Sequence, residues 1–292
     1  SLSADPGSSL ESSVAVSLVS HRSVGHVFLW TAIGRLELNV PEVDRASDAQ
    51  LTLTLIDGSR RERARSSWRL AVIPDRPDAP ALDVAVDDPS ELWNVAGRVQ
   101  DVGHRLADHG SAAVTVMTEL DSQTLRRVED GERVLLLVRS RDAIPAGLPL
   151  ARPVAIHPRR LPHPDFPGDR GPWEGDWVTT WAWLRHDLLP GLPERNPLDY
   201  AYREVLPDHV LTGYEPTAHG DEVVAGMFAG WINAPAAIAW TFGQGRGAVT
   251  ITTFRVAPEH GPLASLLLDR LIRHAASASA PAAERTASEG LA

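Results

Sequence analysis

Residues 112–138 read AAVTVMTELDSQTLRRVEDGERVLLLV, and their order sets the class of the fold. AAVTVM (112–117) is a short run of β-branched and apolar residues, which predicts a strand. Asp121 follows as an N-cap, its carboxylate placed to take a free N–H from the first turn of a helix over DSQTLRRV. RVLLLV (133–138) is apolar without alternation, the pattern of a strand covered on both faces. Strand, helix and covered strand in one short stretch predict a parallel sheet with helices packed on it.

Downstream, AAIAWTF and AVTITTF flank Gly243-Gln244-Gly245-Arg246-Gly247 and read as two strands paired through a hairpin turn. The glycines superficially suggest a phosphate loop, but a strand follows them, and the lysine such a loop requires occurs nowhere in the chain. PLASLLLDRLIRHA (262–275) has the apolar spacing of an amphipathic helix. Upstream, ELWNVAGRVQDVGHRLAD (91–108) predicts a helix that stops by Gly110. A proline-rich stretch covers roughly 144–172, and a helix is expected from about Trp177 to Leu189.

Before PDRPDAPA (74–81) the period changes to two. VAVSLV, HVFLW, RLELNV, LTLTLI and WRLAVI alternate, separated by Gly34, by PEVDRASDA and by Asp57-Gly58. Five or six short strands in about 60 residues predict a small antiparallel β-sandwich. The expected organisation is a disordered leader over 1–13, a sandwich over 14–74, a stiff linker over 75–81, an α/β domain over 82–276 and a disordered, low-complexity tail over 277–292.

Composition removes several functions. All 28 basic residues are arginine and the formal net charge is −10, which opposes binding to nucleic acid or to an anionic membrane. No apolar run reaches the roughly 18 residues of a membrane span. No signal-peptide pattern is visible, so a cytoplasmic location is favoured. The absence of cysteine excludes disulfides, thiolate metal sites and a thiol nucleophile. No cofactor is expected.

Chemistry is sparse. His157, His163 and Asp165 lie near one another without a recognisable metal spacing. His186 and His209 each adjoin an aspartate, but the G-x-S-x-G elbow of a Ser-His-Asp hydrolase does not occur. The densest feature is GPWEGDWVTTWAWL (171–184), with four of the nine tryptophans. Trp173, Trp177 and Trp181 are spaced by four and would form one helical stripe, with Glu174 and Asp176 beside them. Core or interface outweighs a sugar platform for such a stripe. An indole face suits sugar C–H groups, and tryptophan also anchors protein interfaces. As an acid/base pair Glu174 and Asp176 are poorly placed, since glycosidases need carboxyls about 5 to 9 Å apart across the bond.

Two stretches carry a family resemblance. VPEVDRASDAQLTLTLIDGSRRERARSSWRLAVIP, with Pro41, Leu51, Leu53, Leu55, Ser67-Trp68 and Pro74, resembles the last immunoglobulin-like sandwich of bacterial family 2 glycoside hydrolases. GDWVTTWAWL, NPLDYAYREVLPDHVLTGYEP, MFAGWINAPAAIAWTFGQGRGAVTITTFRV and the last helix are similar to the class I glutamine amidotransferase-like, flavodoxin-type domain appended to such proteins. The resemblance covers most of 14–275. It implies a carbohydrate-metabolising context, with a catalytic glycosidase domain or subunit, a carbohydrate and a second copy of the chain as expected partners. The two catalytic glutamates of that family sit on a (β/α)₈ barrel this chain is too short to hold, and amidotransferase chemistry needs a cysteine. The expected role is therefore a noncatalytic accessory region, with Trp173, Glu174, Asp176, Trp177 and Trp181 as its contact surface. The alternatives are a stand-alone hydrolase with its site at the C-terminal edge of the parallel sheet, using Glu174, Asp176 or His157, and an independent carbohydrate-binding module.

Overall fold

The computed structural model describes residues 2–4, 8–10, 42–75, 79–91, 93–158, 181–229 and 234–278. The chain divides into two compact units, Ser1–Ile73 and Pro74–Ala292. It has mixed α/β content, with a small antiparallel sheet in the first unit and a large mixed sheet with few helices in the second.

In the first unit β1 (Leu2–Ala4) and β2 (Ser8–Leu10) lie inside the stretch expected as a leader, and β1 pairs antiparallel with β3 (Ser47–Ile56). β3 pairs along its length with β4 (Glu62–Val72), giving the order β2-β1-β3-β4. β3 starts inside PEVDRASDA, because Ser47 to Gln50 already find partners on β4. The Asp57-Gly58 turn forms as expected. The Asp57 carboxylate accepts the Ser59 and Arg61 N–H groups at 2.8 and 3.0 Å, and these fix the turn. Alternation puts Leu51 opposite Trp68, Leu53 opposite Ser66 and Leu55 opposite Ala64, so apart from Ser66 one face of the hairpin is apolar. Only Ala49 and Val72 of this hairpin are buried, while Leu53 and Trp68 remain 48% and 46% exposed. The remaining predicted sandwich strands lie outside the described residues.

The second unit opens with β5 (Asp83–Asp87), α1 (Val95–Asp101), β6 (Arg105–Leu106), β7 (Val114–Met117), α2 (Ser122–Glu129) and β8 (Arg133–Leu137). Then come β9 (Ala155–Pro158), β10 (Trp181–Leu184), β11 (His209–Thr212), α3 (Pro216–His219), β12 (Val223–Ala229), β13 (Ala234–Gln244), β14 (Gly247–Thr252) and α4 (Pro262–Ser277). The sheet runs β10-β12-β13-β14-β8-β7-β5-β6, with β11 joined to β13 and β9 to β11. From β6 to β14 every pairing is parallel; from β14 to β10 every pairing is antiparallel. The expectation of a parallel sheet is thus corrected to a mixed one. A long antiparallel annex sits between β8 and β14 in sequence.

The decisive stretch behaves as read. Asp121 caps α2 by accepting the Thr124 N–H at 2.7 Å, and Val134 to Leu137 of β8 are fully buried. Alternate residues of β8 serve two cores. Val134 and Leu136 join Met117, Val128, Val249 and Trp240 on one face, and Leu135 and Leu137 face α4 on the other. Each such leucine contributes roughly 2 kcal/mol through removal of apolar surface from water.

Two helix expectations fail for visible reasons. The helix over 91–108 shrinks to Val95–Asp101, because Gly103 takes φ +90° and turns the chain so that His104 points inward. The helix over 177–189 is replaced by β10, at least from Trp181 onward. Trp181 and Trp183 share one face, and Ala182 and Leu184 are buried on the other. Gly226 on β12 supplies the bare backbone on which the Trp183 ring lies; a Cβ there would stand 2.6 Å from the indole. The outer edge of β10 is closed by Asn196, whose amide accepts the Leu184 N–H and donates to the Leu184 carbonyl, each at 3.1 Å. The predicted hairpin turn is present, with Gly245 at φ +59°.

Candidate functional site

Parallel strands of a twisted α/β sheet end at a common edge, and the side chains just past their C-termini surround a shared crevice. Here β8 delivers Val138 and Arg139, and β14 delivers Thr253, Phe254 and Arg255. The loop after β5 delivers Trp93, and Asp208 and His209 arrive from the annex. Together with His260 and Glu259 these residues line a cavity of about 300 Å³.

Trp93 organises the cavity mouth. The Arg139 guanidinium carbon lies 3.5 Å from its ring centroid and that of Arg98 lies 5.4 Å away. Stacking on an indole favours a guanidinium over an ammonium, because the planar cation meets the ring's negative face. Burial and, secondarily, the Arg98 charge push Arg139 below its ordinary value, yet it stays a cation at any physiological pH. One buried nitrogen of Arg98, Nη1, has no acceptor among the described residues. The loop carrying Trp93 has two non-glycine residues at positive φ, Glu91 at 52° and Asn94 at 46°. Glutamate rarely holds such a backbone, whereas asparagine adopts it readily, and Asn94 there caps α1 by accepting the Gly97 N–H at 3.3 Å.

The opposite wall is tied down. Arg255 donates from Nε to Asp208 Oδ2 at 3.0 Å and from Nη2 to Oδ1, a two-pronged pair. The acid beside His209 is therefore engaged by an arginine. Among the described residues no hydrogen bond links His209 or His260 to a hydroxyl or carboxylate, as a proton relay would require. The arrangement can bind and orient a ligand.

A second cavity of about 210 Å³ lies under the loop before β9, walled by Ile144, Leu148 and Leu150. One of its two arginines, Arg152, is clamped on Glu222, with Nη2 to Oε1 at 2.6 Å and Nε to Oε2 at 3.0 Å. The buried Trp240 donates its indole N–H to Glu222 at 3.0 Å. Burial pushes the Glu222 carboxyl upward, but Arg152 and Trp240 together outweigh it and hold Glu222 below its ordinary value.

Of the residues expected to form a contact surface, Trp173, Glu174, Asp176 and Trp177 lie outside the described residues, as do His163 and Asp165. Trp181 is on the edge strand β10, 52% exposed, its ring centroid 5.6 Å from that of Phe228 on β12. His157 sits on β9 opposite Val210, in the antiparallel annex, next to the residue paired with His209, and is not itself among the residues lining the cavity. The ring Nε2 of His186 meets the backbone N–H and carbonyl of Arg195, both at 3.2 Å, a loop brace. Sequence reasoning missed Trp93, hidden in an overlong helix, and Arg139. The signal for Arg139 was its position, the first charged residue after RVLLLV.

Among the described residues no cluster of three or more His, Asp or Glu side chains is arranged to hold a metal ion, and no helix is long and apolar enough to cross a membrane. No protein-family model matches the sequence, and no curated protein matches it.

Proposed function

We propose that this chain is a noncatalytic accessory region of a family 2-like glycoside hydrolase, an immunoglobulin-like β unit followed by a flavodoxin-type, class I glutamine amidotransferase-like domain. Numbering only the parallel strands by sequence, their spatial order is second, first, third, fourth, fifth. That order supports the flavodoxin-type reading. The role is docking on a catalytic barrel or subunit, with a contribution to sugar binding.

The observation that carries the docking role is apolar surface left to solvent. Trp181 rests on Phe228 at a sheet edge, more than half exposed. In the other unit, the hairpin face of Leu53, Leu55 and Trp68 is also open. Contiguous exposed apolar surface marks interaction sites, and tryptophan anchors dominate their energetics. The test is sedimentation velocity of the purified chain mixed with a family 2 catalytic barrel. Association is expected, weakened at least about tenfold by Trp181→Ala; no association would contradict the proposal.

A second reading, a stand-alone hydrolase, draws on the cavity at the C-terminal edge. Turnover of a chromogenic β-glycoside by the chain alone, lost in Glu174→Gln, would favour it over the accessory role.

A further inference from the structure

The C-terminal edge holds a cation whose donors are unspent. Arg139 lies over Trp93, its guanidinium carbon 3.5 Å from the ring centroid, and its side chain is exposed. No acceptor among the described residues takes its N–H groups. The other arginine of the lining, Arg255, is committed to Asp208. The rest of the lining includes Val138, Phe254, Val256 and Ala257, all buried apolar side chains. An open fork of donors beside an apolar wall fits one kind of molecule, a short apolar body ending in a flat oxyanion.

We propose that this cleft binds a small organic carboxylate, its two oxygens on the Arg139 fork and its apolar body against Val138, Phe254 and Val256. The local charge balance favours a carboxylate over phosphate. Arg98, Arg139 and Arg255 contribute three positive charges, and Asp88, Asp208 and Glu259, all close enough to act on Arg139 or Arg255, contribute three negative ones. A monoanion needs only the one open fork. A dianion meets the repulsion of all three carboxylates. The buried, unpaired N–H of Arg98 beside the same indole adds positive potential at the mouth. This site does not depend on the docking role, because Trp181 lies on the far edge strand of the sheet.

The experiment is a nuclear magnetic resonance titration of the full chain with four probes: 3-phenylpropionate, its neutral amide, acetate and inorganic phosphate. 3-Phenylpropionate is expected to bind with a Kd of about millimolar order, as its size allows. Acetate binds more weakly for lack of an apolar body. The amide binds about tenfold more weakly for lack of charge. Arg139→Gln weakens 3-phenylpropionate about tenfold, and Arg139→Lys weakens it too, since an ammonium cannot offer two parallel N–H groups. Both variants keep the melting temperature of the parent, because Arg139 is exposed. The proposal is overturned if the amide binds as well as the acid, if phosphate binds more tightly than 3-phenylpropionate, if Arg139→Gln leaves affinity unchanged, or if no probe binds. If Arg139→Gln melts early, the difference between acid and amide on the parent chain still decides. None of these results bears on association through Trp181, so the two readings fail separately.

Discussion

Two arginine-rich regions of the second unit use the same side chain in opposite ways. On the inner face of α4, Asp269 is fully buried and surrounded. Arg273 donates to Oδ1 at 2.8 Å, Arg270 to Oδ2 at 3.0 Å, and His104 Nε2 stands 3.2 Å from Oδ1 in a bent contact. His104 is oriented from its other side, where Nδ1 accepts the Leu82 N–H at 3.1 Å. Arg273 continues to the Pro80 carbonyl at 2.8 Å, so one carboxylate ties α4 to the chain entering β5. At the C-terminal edge Arg139 has an aromatic bed and no acceptor among the described residues. Apart from Arg270 Nε and His104 Nε2, which lack a hydrogen-bond partner among the described residues, the first network spends its charge on the fold, and the open one keeps it for a ligand. The aromatic residues divide in the same way. Trp240 is buried and bonded to Glu222, while Trp181 is left to solvent on the sheet edge.

That division can be broken most forcefully at Asp269. Asp269→Ala leaves two arginines and a histidine facing each other in the core, and removing one partner of a buried ion cluster costs about 3–5 kcal/mol. Urea denaturation measures it, and a loss below about 1 kcal/mol would mean the network is not closed. Glu222→Gln comes next, with about 1.5–3 kcal/mol lost at neutral pH through its charge-assisted hydrogen bonds. The same variant sharpens the pH dependence. Because the folded carboxyl lies below its ordinary value, its contribution is present above the unfolded pKa of about 4.3 and is lost as pH falls through the folded one. The parent should therefore lose more stability than Glu222→Gln on acidification below about pH 5. Gly226→Ala is expected to cost about 1–3 kcal/mol, since the Trp183 ring must leave the strand it covers; thermal melts decide it. Smallest are the open positions. Arg139→Gln and Trp181→Ala change stability by no more than about 0.5 kcal/mol.

The parts of this fold legible from sequence are those written by neighbours in the chain. Asp121 and Thr124 are three residues apart, the Gly245 turn joins two adjacent strands, and α4 carries its apolar stripe within its own length. The illegible parts depend on distant residues. Nothing near Trp181 announces that Gly226 will make room for Trp183, so a four-residue tryptophan spacing read as a helix where alternation gives a strand. The single acidic residue within the apolar run of α4, Asp269, looks like the surface partner of Arg273, four residues on in the same helix, until the sheet brings His104 against it. Trp93 and Arg139 share no local motif. They meet because β5 and β8 end at the same edge.

The most direct test measures association and melting together on Trp181→Ala and Asp269→Ala, using sedimentation velocity against a family 2 catalytic barrel and thermal unfolding of each chain. The account predicts a double dissociation. Trp181→Ala loses association and keeps the parent's melting temperature, and Asp269→Ala melts early while its folded fraction still associates. A Trp181→Ala chain that melts like a core variant and associates like the parent would contradict it.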